Sequence, residues 1–578
     1  MAQMLNKLIY QPATMDFLGG IRNMKKILAT MLCLAMLLSM AACGGGTSTA
    51  STPAAGSDTP AASTAEPAAQ DNAAADEAPA AEEPESTGPK VFRYGTDANS
   101  TTFDPASDLQ TNSGSFLVHA VGETLWTVDA EGNMVPKLAE SVEFADDDSS
   151  MTIKLRQGVK FSNGNDLTAD DVLFTLQHMM EMPRTASMYT WLDMDNSKAE
   201  DDYTVVLAMN SYDASLTDML SNASCMILDK ETCEADPSYG WLYGTGPYKL
   251  AGDGQGDKSG WEESVKYTLV RNDLYWGDQP YYDELDVHFY SEESTRYADF
   301  QAGNLDAVFL TEATYINNLS NGAVMDSSLI SVEEPGVVGF EMASSDVTTG
   351  AFADINVRKA FAHCLDITAM VEGLGEGVYK PATSLVSEDS WAYKDLGMYE
   401  YDEAKAKEYM EKAGYSVDNP LTIAVYAEGT AWYSKLLEAA QAYCAKVGIN
   451  LDLTGVADFA TILPVLLSGQ QDMTVGSASN GSGKDPACQL QQFGPLSDNV
   501  LIRSTDPEQV ELFNKGITSH DQKERTEAYQ KFMQNIHDDY LFVPIYSGTK
   551  NYGVNNAHSS FAAAIDNSCT VDPTLLTD

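Results

Sequence analysis

Apolar and polar residues alternate along several short stretches of the chain, and a period of two predicts β-strands. Two such stretches flank a run of aspartates and serines, with apolar positions at Val142, Phe144, Met151, Ile153 and Leu155. Alternating stretches joined by polar turn residues are typical of a β-hairpin. Shorter apolar runs predict further strands at residues 91–94 and 126–128.

Other stretches space their apolar residues by three and four, which predicts amphipathic helices. Thr168 can cap one such helix, and Asp171, three residues on, favours the positive end of the helix dipole. The apolar face of this helix consists of Val172, Leu176, Met179 and Met180. Another helix is predicted over residues 116–125.

From residue 402 onward, stretches with the helical period alternate with stretches that have the strand period. Asp402 can cap a helix that Gly414 ends. The elements predicted after it are a strand at 421–425, a helix at 436–447, a strand at 449–453, a helix at 459–467 and a strand at 473–475. Such alternation indicates an α/β sheet with β-α-β units, and these sheets bind ligands at the carboxyl ends of their strands.

The beginning of the chain has the three parts of a secretory signal. Lys25 and Lys26 precede the apolar run 27–40, and Ala41-Ala42-Cys43 follows. The run has about 14 residues, whereas a membrane-spanning helix needs roughly 20. The cysteine after small residues resembles a bacterial lipobox, with Met40 where such motifs usually have Leu. We therefore expect residues 1–42 to be a signal region and Cys43 to be lipidated; Met24 is an alternative start.

The next segment, residues 43–90, is rich in Ala, Ser, Thr and Pro, and has no basic residue before Lys90. Such a composition cannot bury enough apolar surface to offset the entropy lost on ordering. We expect a disordered acidic stalk between the lipidated Cys43 and the folded body. The body would then be anchored to the extracytoplasmic face of the bacterial cell membrane.

The composition of the whole chain limits its partners. The formal net charge of −51 argues against nucleic-acid binding, which needs a basic surface, and against docking of the folded body on anionic lipids. The hydrophobic content of 44% indicates a folded protein. The length beyond the stalk suffices for two or three domains.

Cysteine spacing suggests one disulfide. The six cysteines beyond the stalk are Cys225, Cys233, Cys364, Cys444, Cys488 and Cys569. Export permits disulfides, and Cys225 and Cys233 are close enough in sequence to close a small loop. No CxxC pair is present, so no zinc site is expected, nor any other metal or cofactor.

Several segments together resemble the family 5 extracellular solute-binding proteins, the binding subunits of peptide, nickel and related ABC importers. The resemblance covers essentially residues 91–578. The segments that carry it, in order, are 135–141, 153–164, 167–172, 244–248, 271–277, 303–307, 357–366 and 404–415.

The resemblance implies an α/β fold of the two-lobed periplasmic-binding-protein type, in its large cluster C form. The first lobe would be discontinuous, with residues 91–333 and a return segment at 541–578, and the second lobe would be residues 334–540. Residues 543–546 would form a strand that returns to the first lobe. Hinge closure around a solute is known for such proteins.

The resemblance also guides the choice of ligand-binding residues. Peptide-binding members carry an aspartate for the ligand's α-amino group shortly before an acidic-Pro pair, which here is Asp485-Pro486. Ser482 stands about where the aspartate would be, and the usual upstream tryptophan is missing; a buried ammonium without a carboxylate is costly. Asp485 can serve instead, or it can simply form a turn.

Tyr189 resembles a ligand-facing tyrosine of oligopeptide binders. The remaining candidates are Thr96, Asp97, Asn99, Trp391, Trp432, Ser479 and Asn480; for the tryptophans and Tyr189, core or surface packing is the alternative.

Catalytic motifs are missing from the sequence. It has no Gly-x-Ser-x-Gly nucleophile motif and no HExxH zinc motif. The segment Gly481-Ser482-Gly483-Lys484 resembles part of a phosphate-binding loop, but the Ser or Thr that must follow the lysine of such a loop is missing. We therefore expect no enzyme but a monomeric binding protein that passes a small solute, a peptide or peptide-like compound, to an ABC permease. A non-peptide solute such as a metal chelate, opine or sugar stays open, as do a secreted lipoprotein hydrolase and a scaffold without transport.

Overall fold

The computed structural model describes residues 88–578 except 98–103, 109–111, 129–133, 183–184, 239, 253–259, 263, 343–349, 429–430, 457–464, 466–470, 478–484, 496–502 and 566–568. The chain divides into two units, Met1–Pro84 and Glu85–Asp578. The first unit lies outside the described residues, and with it the expected signal region, Cys43 and most of the stalk. No helix among the described residues is long and apolar enough to span a membrane.

The second unit consists of strands and helices in mixed order. The strands are β1 (Val91–Thr96), β2 (Trp126–Val128), β3 (Met134–Pro136), β4 (Ala139–Phe144), β5 (Ser150–Leu155), β6 (Leu192–Asp201), β7 (Thr204–Met209), β8 (Tyr248–Leu250), β9 (Trp261–Glu262), β10 (Lys266–Arg271), β11 (Glu284–Phe289), β12 (Ala307–Leu310), β13 (Ser327–Met342), β14 (Lys380–Pro381), β15 (Leu421–Glu428), β16 (Ile449–Val456), β17 (Met473–Ser477) and β18 (Phe542–Asn555). The helices are α1 (Pro105–Asp108), α2 (Asn112–Val121), α3 (Ala169–Glu181), α4 (Leu216–Ser221), α5 (Lys230–Ala235), α6 (Glu293–Gln301), α7 (Ala313–Ser320), α8 (Ile355–Cys364), α9 (Ile367–Gly375), α10 (Glu403–Lys412), α11 (Ala431–Ala445), α12 (Pro486–Leu490), α13 (Pro507–Thr518) and α14 (Gln522–Asp538).

A twelve-stranded sheet runs through the unit, in the order β16-β15-β17-β13-β18-β12-β1-β11-β10-β8, with β14 beside β18 and β9 beside β10. Its two ends contain parallel pairs, β15 with β16 and β17, and β1 with β11 and β12. A separate antiparallel sheet has the order β4-β5-β7-β6. The predicted hairpin is therefore confirmed as β4–β5, and the predicted strand at 543–546 is part of β18.

The two ends of the long sheet pack into different cores. One core contains β15, β16, α8 and α11 residues together with Val338, Val543 and Ile545. Another contains β1, β10 and β11 residues together with Tyr552 and Val554. The long antiparallel strands β13 and β18 thus pass from one core to the other. We call the part around the β1 core, together with the four-stranded sheet and α3–α5, the first half, and the part around the β15 core, together with α12–α14, the second half.

Strands β13 and β18 change register where they pass between the halves. The shifts lie between Glu333 and Val337 and between Val338 and Gly339. A Cβ atom at Gly339 would lie 2.2 Å from Cζ of Phe542, so the Phe542 ring occupies the space that a larger residue at this position would need. Irregular pairing loosens a ladder locally, which makes this crossing a natural place for bending.

Local signals fixed several helix ends as predicted. Asp402 caps α10 by accepting the Lys405 N–H at 2.9 Å, and Asp171 accepts both the N–H and the hydroxyl of Thr168 at the start of α3. Helix α2 is shifted from its predicted position and ends before Gly122. A Cβ at Gly122 would lie 2.4 Å from Sδ of Met226, so a larger residue would collide with that side chain. Most of the helix predicted at 459–467 lies outside the described residues.

Candidate functional site

Asp485 and Arg525 form a buried ion pair in the second half. Nη2 of Arg525 lies 2.8 Å from Oδ1 and 2.6 Å from Oδ2 of Asp485, and each side chain is 11% exposed. Asp485 also caps α12 through the N–H of Ala487 at 2.9 Å, and Pro486 occupies the first turn. The predicted ligand candidate Asp485 is therefore already neutralised and hydrogen-bonded within the protein.

Arg525 is held by its place on α14. It lies on the face of the helix whose other residues, Ala528, Tyr529 and Phe532, are buried. Its Nε donates to the carbonyl of Gly516 at 2.7 Å. Burial alone would lower the pKa of Arg525, but the charges of Asp485 and Tyr529 and the hydrogen bonds to both residues together raise that pKa. The guanidinium carbon lies 5.0 Å from the ring centre of Trp391, a cation–π contact.

The first half meets this ion pair directly. The N–H of Asp485 donates to Oδ2 of Asp218 on α4 at 2.8 Å. Nearby, the N–H of Ala214 donates to the carbonyl of Ile517 at the end of α13 at 2.7 Å. Both bonds connect residues of opposite halves, so they can form only when the two halves are close together.

An aromatic and ionic contact continues the junction. The rings of Tyr212 and His520 are stacked with centroids 3.9 Å apart, and Nε2 of His520 lies 2.8 Å from Oδ2 of Asp148 in the turn between β4 and β5. Asp213 is buried beside these groups, and burial raises the pKa of its carboxyl. We call the following residues the junction cluster: Asp148, Tyr212, Asp213, Asp218, Asp485, His520 and Arg525.

Two further predicted residues lie at the end of β1. Thr96 is fully buried, whereas Asp97 is exposed, and the Thr96 hydroxyl donates to Oδ1 of Asp97 at 3.3 Å. Strand β1 is parallel to both β11 and β12, so this position is a carboxyl end of parallel strands, where α/β sheets bind ligands.

Trp432 belongs to an aromatic cluster near the crossing of β13 and β18. Its ring centroid lies 4.8 Å from that of Tyr379 and 5.6 Å from that of Tyr546. The Tyr379 hydroxyl lies 3.4 Å from the Thr311 carbonyl of the first half. The structure therefore brings Trp391 to the junction cluster but leaves Trp432 in a different contact between the halves.

Tyr189 does not offer its ring to a solute in this conformation. It is 1% exposed and belongs to the core formed by the four-stranded sheet, α3 and α4. Burial raises its pKa well above the usual value, with the thiols of Cys225 and Cys488 as neighbours. The ligand-facing role expected from the resemblance stays a prediction, and in this conformation core residues surround the ring.

The predicted pairing of Cys225 with Cys233 is wrong in this structure, where both thiols are free and buried. The physical reason is that the two residues belong to different cores. Cys225 packs with the four-stranded sheet, whereas Cys233 packs with β1 and its neighbours. Although the two residues are close in sequence, their side chains point into different cores.

Four of the predicted ligand-binding residues, Asn99, Ser479, Asn480 and Ser482, lie outside the described residues. The sequence did not predict the other residues of the junction cluster, namely Arg525, His520, Tyr212 and the aspartates of the first half. Arg525 could have been found, because it occupies an apolar-face position of an otherwise charged helix. Asp218 and His520 carry no such local signal, since their contacts with Asp485 and Asp148 join residues far apart in the sequence. Asp213 accepts from the N–H and the hydroxyl of Ser215, a local turn contact that does not by itself indicate a site.

Comparison with known proteins identifies the family. The model of the bacterial extracellular solute-binding proteins, family 5, matches residues 133–498. The oligopeptide-binding protein OppA of Bacillus subtilis is 24% identical over 477 residues, covering 75% of this chain and 84% of that protein.

Solved structures share the fold. The periplasmic binding protein DppA of Helicobacter pylori, in complex with the peptide STSA, superposes with a TM-score of 0.72 at 22% identity, covering 84% of this chain and 98% of that one. The binding protein AgaA of A. tumefaciens R10, in complex with agropinic acid, gives the same TM-score, identity and coverage. These neighbours are two-lobed periplasmic binding proteins, so the two halves described above are two lobes.

The chain belongs to the family 5 bacterial extracellular solute-binding proteins, the extracytoplasmic binding components of ABC transporters. It is accordingly a solute-binding protein and not an enzyme. The junction cluster lies between its two lobes, and these are the surfaces that such proteins bring together around a solute.

Proposed function

We propose that the chain is the lipid-anchored, monomeric binding subunit of an ABC importer, which captures a peptide or peptide-like solute between its lobes and delivers it to the permease. The observation that carries the proposal is the junction cluster in a member of this family. It joins the lobes by contacts that must open to admit a solute and close to retain it. Closure is favoured because the solute contacts both lobes and thus has a higher affinity for the closed state.

The charge of the junction cluster supports a solute that carries a cation. Four aspartates converge there, and the one guanidinium among them is already paired with Asp485. Buried carboxylates without a counter-charge are costly, so a solute ammonium near Asp213 is favourable. Peptides with a free N-terminus carry such a group, and the similar DppA structure contains a peptide.

A non-peptide solute is the second candidate. Ser482 stands about where peptide-binding members carry an aspartate. Asp485 follows three residues later in the sequence, but its carboxylate already forms an ion pair with Arg525. The AgaA structure shows that a protein of this fold can contain agropinic acid. An opine or a metal chelate is therefore the alternative to a peptide.

Calorimetry and thermal shift on the purified protein separate these candidates. The solutes are a di- to pentapeptide mixture, an opine, and nickel with histidine. We expect the peptides to raise the melting temperature and to bind with a stoichiometry of one. No response to any peptide, together with a clear response to the opine or the chelate, would overturn the peptide proposal.

The anchor is tested separately by labelling cells with an alkyne fatty acid. We expect the full chain to incorporate the label and to fractionate with membranes, whereas Cys43→Ala abolishes both. Equal labelling of the variant would contradict lipidation at Cys43.

A further inference from the structure

Cys364 and Cys444 lie side by side in the core of the second lobe. Their Sγ atoms are 3.6 Å apart, although 80 residues separate them in the sequence. Their exposed fractions are 1% and 0%, and both belong to the same apolar core. Cys364 is the last residue of α8, and Cys444 lies in the last turn of α11.

The other described cysteines have different surroundings. Cys225 lies beside Tyr189, and the thiol of Cys569 donates to the carbonyl of Glu333 at 3.0 Å. Cys488 is buried near Asp218 and Asp485. The contact between the thiols of Cys364 and Cys444 thus joins α8 to α11.

We propose that Cys364 and Cys444 are joined by a disulfide bond in the exported protein. The two thiols lose two protons and two electrons as the bond between their sulfur atoms forms. The oxidant is an extracytoplasmic protein disulfide or a low-molecular-weight disulfide. Its own S–S bond breaks, and it leaves as two thiols after a mixed-disulfide intermediate. Extracellular compartments maintain such bonds.

The geometry requires little movement. A disulfide places its sulfur atoms about 2.05 Å apart, so the two Sγ atoms must approach by roughly 1.5 Å. Rotation about the Cα–Cβ bonds moves each sulfur while the helices keep their places. The surrounding core residues, among them Phe361, Ala440 and Val447, are apolar. Forming the bond gives up one weak hydrogen bond, from the Cys364 thiol to the Phe361 carbonyl at 3.2 Å.

The bond forms during folding and not afterwards. Burial, together with the adjacent thiol of Cys364, raises the pKa of Cys444 well above its usual value. The thiolate is the attacking species in disulfide exchange, so the folded, reduced protein reacts slowly. Before the core closes, both thiols are accessible to the oxidant, and once formed the bond is shielded from reductants.

The bond would make the second lobe a stiffer body. Helix α8 precedes β15 in the chain and α11 follows it, so the bond closes a loop that contains α9, α10 and β15. Linking residues that are far apart in sequence restricts the unfolded chain and raises stability. Such a link would help the second lobe to keep its internal structure while it moves as a rigid body during closure.

Peptide mapping by mass spectrometry tests the proposal on the full chain purified from the extracytoplasmic face of the cell. Free thiols are alkylated in denaturant without reductant before digestion. We expect a linked peptide pair containing Cys364 and Cys444, with Cys225, Cys233, Cys488 and Cys569 alkylated. Alkylation of both Cys364 and Cys444, or a link from either one to another cysteine, would overturn the proposal.

A stability measurement provides an independent readout. We expect reductant to lower the urea midpoint of the wild-type protein, and to leave the midpoint of Cys444→Ala unchanged. Cys225→Ala is the matched control, since it also empties a buried thiol site, and its response to reductant should equal that of the wild type. Equal responses in all three proteins would contradict the link.

Discussion

Single residues determine how the segments that identify the family fit together. Gly244 is the clearest case, because a Cβ there would lie 2.0 Å from the carbonyl oxygen of Val121. The N–H of Gly246 donates to the same oxygen at 2.9 Å. Between them, Thr245 donates to the buried carboxylate of Glu123 at 2.9 Å, and Trp276 donates to it at 2.8 Å. Two separate signature segments therefore converge on the chain that follows α2.

Gly244→Ala should destabilise the protein strongly. The new methyl group would collide with main-chain atoms, which cannot move away by a change of rotamer. Overpacking of this kind lowers the free energy of unfolding by about 1–3 kcal/mol or more. Gly373→Ala in α9 is the matched control, because no heavy atom lies within 4 Å of its Cβ position. The control should be unchanged or up to about 1 kcal/mol more stable, since alanine favours helices. Urea unfolding compares them, and equal losses of stability would contradict the account.

Residue roles could be predicted where they depend on near neighbours in the sequence. The caps at Thr168 and Asp402 follow from residues three positions away, and the structure confirms them. The outcome for Tyr189 and for Cys225 with Cys233 depends on which core each side chain enters. Distant parts of the chain determine which core each side chain enters, so no local pattern could predict it.

At the scale of elements, the periodic pattern predicted the β15-α11-β16 unit and the β4–β5 hairpin. It did not predict the order of strands in the long sheet, where β18 lies between β13 and β12. Pairing of strands more than 200 residues apart leaves no local pattern. Apart from Asp485, the junction cluster was missed for the same reason, since its residues come from the β4–β5 turn, the segment after β7, α4, the residue before α12, the α13–α14 turn and α14.

The α13–α14 turn should contribute to closure through His520. Its ring is 61% exposed, and exposed ion pairs contribute about 0.2–1 kcal/mol. His520→Gln or Asp148→Asn should therefore weaken solute binding by up to about five-fold.

Lys523→Gln provides the control for this contact. Lys523 lies three residues from His520 and pairs with Glu527 of its own helix, so the loss of its charge should not change solute affinity. Calorimetry on the three variants gives the comparison. A loss in Lys523→Gln equal to that in His520→Gln would show that the general charge of the helix matters and the contact with Asp148 does not.

At the scale of the whole molecule, the C-terminal segment closes the first lobe. His558 is one of its polar contacts, with Nδ1 2.7 Å from the Tyr282 hydroxyl and Nε2 3.4 Å from Oδ1 of Asp306. Burial alone would lower the pKa of His558, but its bonds to Asp306 and Asp578 outweigh burial and raise it. The protonated ring is thus favoured in the folded protein.

This shift predicts how stability depends on pH. A pKa raised in the folded state adds stability that is complete below the unfolded value, about 6.5 for histidine, and is lost as pH rises through the folded value. The difference in melting temperature between wild type and His558→Gln should therefore be largest near pH 5.5 and should shrink towards pH 8.5. A difference that grows with pH would contradict the assignment.

Closure of the two lobes over a solute is the central claim, and the distance between spin labels tests it most directly. Labels at the exposed positions Asp146 in the first lobe and Lys523 in the second lobe flank the contact between Asp148 and His520. We predict a longer and broader distance distribution without solute, and a single shorter distance when a bound solute is at saturation. An identical distribution with and without saturating solute would contradict the account.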